Sequence, residues 1–231
     1  MSRVKWDVDG SRLYETGLDR GMLYVANPSS QDGYDTGVAW NGLSSVNENP
    51  SGGDSTAIYA DNMKYLDLTA KEDYGATIEA YTYPDEWAEC DGSRTPVPGL
   101  KIGMQTRKKF GMSYRTKIGN DQVGDEFGYK IHIIYNAKAA PSSRTYNTIN
   151  DSPEANPFSW DVTTTEVNFS EDYKPTATLE LDSTKIKKSA LTKIETILYG
   201  TDAEGETLAT DPRLPLPQEI ISIIQEAEAA G

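Results

Sequence analysis

Residues 129–136 read YKIHIIYN, and this stretch decides the fold class. Tyr129, Ile131, Ile133 and Tyr135 alternate with Lys130, His132 and Ile134. Alternation at period two is the signature of a strand with one buried face. The same pattern recurs elsewhere. TIEAYTY sets Ile78 and Ala80 against Glu79, Tyr81 and Tyr83. RKKFGMSYRTKI places Phe110, Met112 and Tyr114 on one face, and PFSWDVTTTEVNF does so for Phe158, Trp160 and Val162. AIYADNMKYLDL alternates in part, with Ile58, Ala60, Met63 and Tyr65 expected inward, Leu66 and Leu68 as further candidates, and an irregularity near Asp61 and Asn62. PTATLELD completes the set.

Two helical stripes follow the strands. Asp182 or Ser183 can cap a helix ending near Tyr199, with Ile186, Ala190, Ile194, Ile197 and Leu198 on one face and Gly200 at the C-terminal cap. A second helix is expected from Pro217, carrying Ile220, Ile221, Ile223 and Ile224. Strands followed by helices, without βαβ alternation, predict an antiparallel β-sandwich or barrel with a flanking helix and a short C-terminal helix. The expected division is a β-sandwich domain over 1–200 and a linker with a helical arm over 201–231.

Composition sets further bounds. The chain has 231 residues, enough for one sizeable core. Its mean hydropathy is −0.60 and its net charge −14. An acidic chain lacks the basic footprint of a nucleic-acid binder. No apolar run opens the sequence, so no signal peptide is expected, and no stretch approaches the roughly 20 apolar residues of a membrane span. Cys90 is the only cysteine and His132 the only histidine. An internal disulfide and a multi-histidine zinc site are thereby excluded. No nucleotide-binding, hydrolase or metalloprotease motif is present. Carboxylates beside aromatic rings, such as Asp85 and Glu86, carry little information among 36 acids. The reading is a non-enzyme with no cofactor and no catalytic or metal site. The sequon at Asn168 is read as chance.

Charge is unevenly placed. No base falls between Arg20 and Lys64, a gap that holds Asp32, Asp35, Glu48, Asp54 and Asp61. From 92 to 120 the chain carries Arg94, Lys101, Arg107, Lys108, Lys109, Arg115 and Lys117 with no acid. Opposite blocks in one chain suit head-to-tail association. The segment 26–55, rich in Gly, Ser and Asn, reads as a long acidic loop, with Trp40 and Leu43 as an apolar patch for docking.

Taken in order, VKWDVDGSRLYETGLDRGMLY, GVAWNGL, YADNMKYLDL, YGATIEAYTYPDEWAECDG, RKKFGMSYRTKIGND, YKIHIIYNAKAAPS and NDSPEANPFSW resemble the major tail protein, or tail tube protein, of long-tailed phages, especially those of Gram-positive hosts. The resemblance covers nearly the whole chain. It implies a subunit of stacked hexameric rings forming a hollow tail tube, made in the host cytoplasm and carried in the virion. The partners it implies are further copies of the chain and the tail-tip, tape-measure and tail-terminator proteins. Genomic DNA would pass through the lumen without specific binding, and no membrane is involved. YGATIEAYTYPDEWAEC then becomes a sandwich edge running into a Pro-initiated helical turn. Tyr81, Tyr83 and Trp87 join Trp40, Leu43, Asp32, Asp35, Asp54, Arg107, Lys108 and Lys109 as expected interface residues. A monomeric carbohydrate-binding β-sandwich is the alternative, since it also uses Tyr and Trp rings with acids.

Overall fold

The computed structural model describes residues 3–30, 32–148, 151, 155–168, 173–203 and 208–230. Two of the three sequon positions, Phe169 and Ser170, lie outside these, as do parts of the stretch NDSPEANPFSW. In chain order the strands are β1 (Leu13–Val25), β2 (Val38–Ala39), β3 (Leu43–Glu48), β4 (Ser51–Gly52), β5 (Ser55–Ala60), β6 (Met63–Thr69), β7 (Glu72–Asp73) and β8 (Gly75–Ala80). After the short helix α1 (Trp87–Cys90) come β9 (Arg94–Val97), β10 (Leu100–Ile102), β11 (Phe110–Asn120), β12 (Gly124–Ala139), β13 (Phe158–Thr163) and β14 (Thr178–Asp182). The helices α2 (Lys188–Tyr199) and α3 (Pro217–Ala229) close the chain. The fold is mainly β and its strand pairs are antiparallel, as expected.

Hydrogen bonding runs in the order β2-β1-β11-β12-β13-β8-β3, with β14 also paired to β12. β12 divides its length: residues 130–134 pair with β14, while Lys138 and Ala139 pair with β13. The branch coincides with a bulge. Phe110 faces Ala137 and Met112 faces Ile134, so β12 takes three steps where β11 takes two. Asn136, at φ 47°, is the extra residue. A bulge reverses the alternation beyond it. Ile131, Ile133 and Tyr135 therefore face one side, and Ile134, Ala137 and Ala139 the other.

Two cores result, one on each side of the central sheet. The first lies between the sheets and contains Leu23, Ile78, Phe110, Met112, Trp160 and Val162. The second lies under the helices and contains Tyr24, Ile131, Ile133, Tyr135, Leu181, Ile194 and Leu198, with Leu214 and Ile220 from the C-terminal segment. That segment is packed rather than free: Tyr135 Oη donates to Pro215 O at 2.8 Å, and Gly37 N to Pro212 O at 2.8 Å.

Several local expectations are corrected. α2 begins at Lys188, not at Asp182 or Ser183. Asp182 Oδ1 accepts the Thr184 amide at 2.9 Å and closes a turn, while Ser183 Oγ accepts the Tyr129 amide at 2.8 Å. Both side chains are thus committed before a helix could start. Gly200 does sit at the C-terminal cap, at φ +73°, where a Cβ would lie 2.4 Å from Thr210 O. β8 is not an edge, because β13 and β3 flank it. AIYADNMKYLDL is not one inward-facing strand but the hairpin β5–β6, turning at Asp61 and Asn62 (φ 50° and 60°). Two adjacent residues at positive φ make the tight turn that suits strand twist.

Candidate assembly surfaces

The residues expected at an interface divide into buried and exposed sets. Trp40 is 2% exposed and lies in the first core of its own chain, where its indole N–H donates to Thr82 O at 2.9 Å. Trp87 is fully buried, with ring centroids 4.6 Å from Trp40, 4.8 Å from Phe110 and 5.3 Å from Trp160. Leu43 is half-buried, and its methyl group fills the space a Cβ on Gly21 would need. These three residues pack inward and do not project as an arm. The segment 26–55 is accordingly no single loop. Trp40 N donates to Gly21 O at 2.8 Å, β2 pairs with β1, and β3 pairs with β8.

Tyr83 is half-buried, packing edge-on to Phe158 and Trp160, with Lys101 Nζ 4.8 Å from its ring centroid. Tyr81 remains exposed. The Pro84 carbonyl accepts the Trp87 amide at 3.0 Å, so the Pro-initiated helical turn forms as expected. Cys90, buried on this turn, has its thiol pushed up to about 12 by burial, with Glu89 adding to the effect.

Part of the basic block is neutralised inside the chain. Asp32 pairs with Arg213 at 3.5 Å, and Asp35 accepts Asn27 Nδ2 at 2.6 Å. Lys108 pairs with Glu89, Arg115 with Asp19 and Lys117 with Asp125. Lys109 Nζ donates to Thr165 Oγ1 at 3.1 Å. Asp35, Arg94 and Lys108 even line one cleft of the same molecule. Asp54 and Arg107 make no ion pair among the described residues. Within one chain, Asp32 and four bases of the 92–120 block, Lys101, Lys108, Arg115 and Lys117, therefore meet opposite charges, while Asp35, Glu48, Asp54 and Asp61 meet no base among the described residues.

Two features escaped the sequence reading. The first is the β5–β6 hairpin, which pairs with no other strand among the described residues. It exposes Ile58, Tyr59, Met63, Tyr65, Leu66 and Leu68, with Tyr59 and Tyr65 each at 71%. The signal was Asp61-Asn62 between alternating runs, a hairpin turn rather than an irregularity. The second is a pair of open edges. β1 bonds β2 only at Met22 and Leu23, leaving residues 13–20 open on the side away from β11. β14 pairs only with β12. Among the described residues, the four-stranded run β1-β11-β12-β14 thus ends in a free edge on both sides.

The same sheet carries a partly buried polar cluster. Tyr114 donates to Glu48 Oε1 at 3.1 Å and stacks on His132 at 4.7 Å between centroids. His132 Nε2 lies 2.9 Å from Thr116 Oγ1, and its Nδ1 lies 4.0 Å from a Glu180 oxygen. Burial holds the imidazole below its ordinary value, with Lys130 acting in the same direction, against the pull of Glu180, Glu48 and Glu15. Among the described residues no three His, Cys, Asp or Glu side chains gather as a metal site, and no helix is long and apolar enough to cross a membrane.

No protein-family model matches this sequence, and no curated protein is detectably similar to it.

Proposed function

We propose that the chain is a structural subunit that associates with its own copies into rings, and that these stack as a hollow tube, in keeping with its resemblance to phage tail tube proteins. The observation that carries the reading is the β5–β6 hairpin. An isolated two-stranded hairpin is marginal in water. This one also presents six large apolar side chains to solvent. Apolar surface of that extent marks a docking element, and a neighbouring subunit would supply its cover.

The two free edges of the four-stranded run support the same reading. Unpaired edges are templates for another chain. Because the edges lie on opposite sides, β1 of one copy meeting β14 of the next is a heterologous contact, which repeats and can close into a ring. Hexameric closure, the tail-tip, tape-measure and terminator partners, the passage of DNA and the place in a virion rest on the resemblance. A carbohydrate-binding module is the weaker reading, because three of the four Trp rings, Trp40, Trp87 and Trp160, are buried and unavailable as a sugar platform. Negative-stain electron microscopy of the purified chain tests the proposal: rings or tubes are expected, and uniformly isolated small particles at high concentration would refute it.

A further inference from the structure

Four cationic side chains converge on one cleft. A cleft of about 730 Å³ is lined by Lys101, Arg107, Lys138 and Arg144, with Asp91 as its one carboxylate. Asp91 is already engaged: its side chain is 8% exposed, it accepts Trp160 Nε1 at 3.2 Å and Arg144 Nη2 at close range, and Lys101 Nζ lies 3.8 Å away. Arg107 packs over Gly92, whose φ of +75° and missing Cβ leave room for the guanidinium. Neither Arg107 nor Lys138 meets a carboxylate among the described residues. Met104 stands at the cleft, fully exposed at φ 60°.

The tip of the β5–β6 hairpin has the complementary character. Lys64 is paired with Asp67 three residues on, which leaves Asp61 as the charge at the turn with no ion pair among the described residues. Tyr59, Met63 and Tyr65 flank it, all about 70% exposed. Tyrosine faces attract cations, and Tyr83 already receives Lys101 in this way at the cleft. We propose that the hairpin tip of one copy seats in the cleft of another, with Asp61 against Arg107 and Lys138, the tyrosine rings over the remaining cations, and Met63 beside Met104. This rests on the self-assembly reading above and adds to it the docking site and the register.

The test uses the full chain. Met63→Cys combined with Met104→Cys places one thiol at each proposed partner, while Cys90 is buried. Under mild oxidation the doubly substituted chain should give a ladder of covalent multimers. Asp61→Arg alone, or Arg107→Asp alone, should slow assembly by about tenfold or more, and the two together should restore most of it. Assembly with no covalent ladder and no response to either reversal would overturn the docking site while leaving self-assembly standing. A parent chain that never associates would overturn both.

Discussion

The rings of Trp40 and Trp87 lie 4.6 Å apart, tilted by 50°, in the interior of a single chain. Trp40 also bonds Thr82 O, so it ties the segment after β2 to the end of β8. Trp40→Ala should therefore damage the fold before it touches any assembly step. Truncating a buried Trp costs about 3–5 kcal/mol, and urea unfolding followed by far-UV circular dichroism should show a loss of that size. A change below about 1 kcal/mol, the scale of a surface substitution, would place Trp40 outside the core.

His132 offers a pH test. Its folded value is depressed by burial, so protonation is harder in the folded chain than in the unfolded one. A depressed value means stability that is complete above the ordinary imidazole value of 6.5 and is lost as pH falls towards and through the folded value. The facing groups are Tyr114, Thr116, Glu180, Glu48, Glu15 and Lys130. Thermal midpoints should fall as pH drops below 6.5, and His132→Gln should flatten that limb. An identical slope in the variant would assign the limb to other groups.

The hairpin gives the sharpest separation between fold and assembly. Tyr59→Ser with Tyr65→Ser removes two rings that are 71% exposed. Monomer stability should change by no more than about 0.5 kcal/mol per site, as for surface positions. Formation of rings or tubes should fall at least tenfold, on the order of 1.4 kcal/mol. Unchanged assembly, measured by light scattering at matched concentration, would remove the hairpin from the interface.

Much of the fold was legible in local pattern. The alternation in YKIHIIYN places Ile131, Ile133 and Tyr135 on one face because strand geometry imposes it. Gly200 and Pro217 were legible because caps and first turns demand those residues. What failed was the direction of burial. The hairpin's Ile58, Met63 and Tyr65 look the same in sequence whether they meet a core or solvent, since burial depends on what lies across from them. Trp40 was misread for the converse reason: a Gly- and Asn-rich setting suggested an arm, while the partners that bury it, Trp87 and Trp160, lie far along the chain. Ion pairs within the chain are equally non-local: Arg115 meets Asp19 across 96 residues of sequence. The open edges of β1 and β14 follow from topology, which no local window contains.

The open edges predict a strand-pairing lesion. Proline cannot donate to a neighbouring strand. Substitution at successive positions of the open stretch of β1, Tyr14→Pro through Leu18→Pro, should alternate in effect. Where the amide points to β11, the fold should suffer. Where it points away, the monomer should survive and assembly should fail. Hydrogen exchange on assembled material should show matching new protection along residues 13–20 and along β14. Absence of protection on both strands would show that the edges stay open.

The central claim is that this chain is built to associate with itself, and sedimentation velocity across micromolar to millimolar concentration tests it most directly. The account predicts a shift from monomer to rings and larger stacked species as concentration rises, with Tyr59→Ser and Tyr65→Ser together holding the chain at monomer. A parent chain that sediments as a single 25.4 kDa species throughout that range would contradict it.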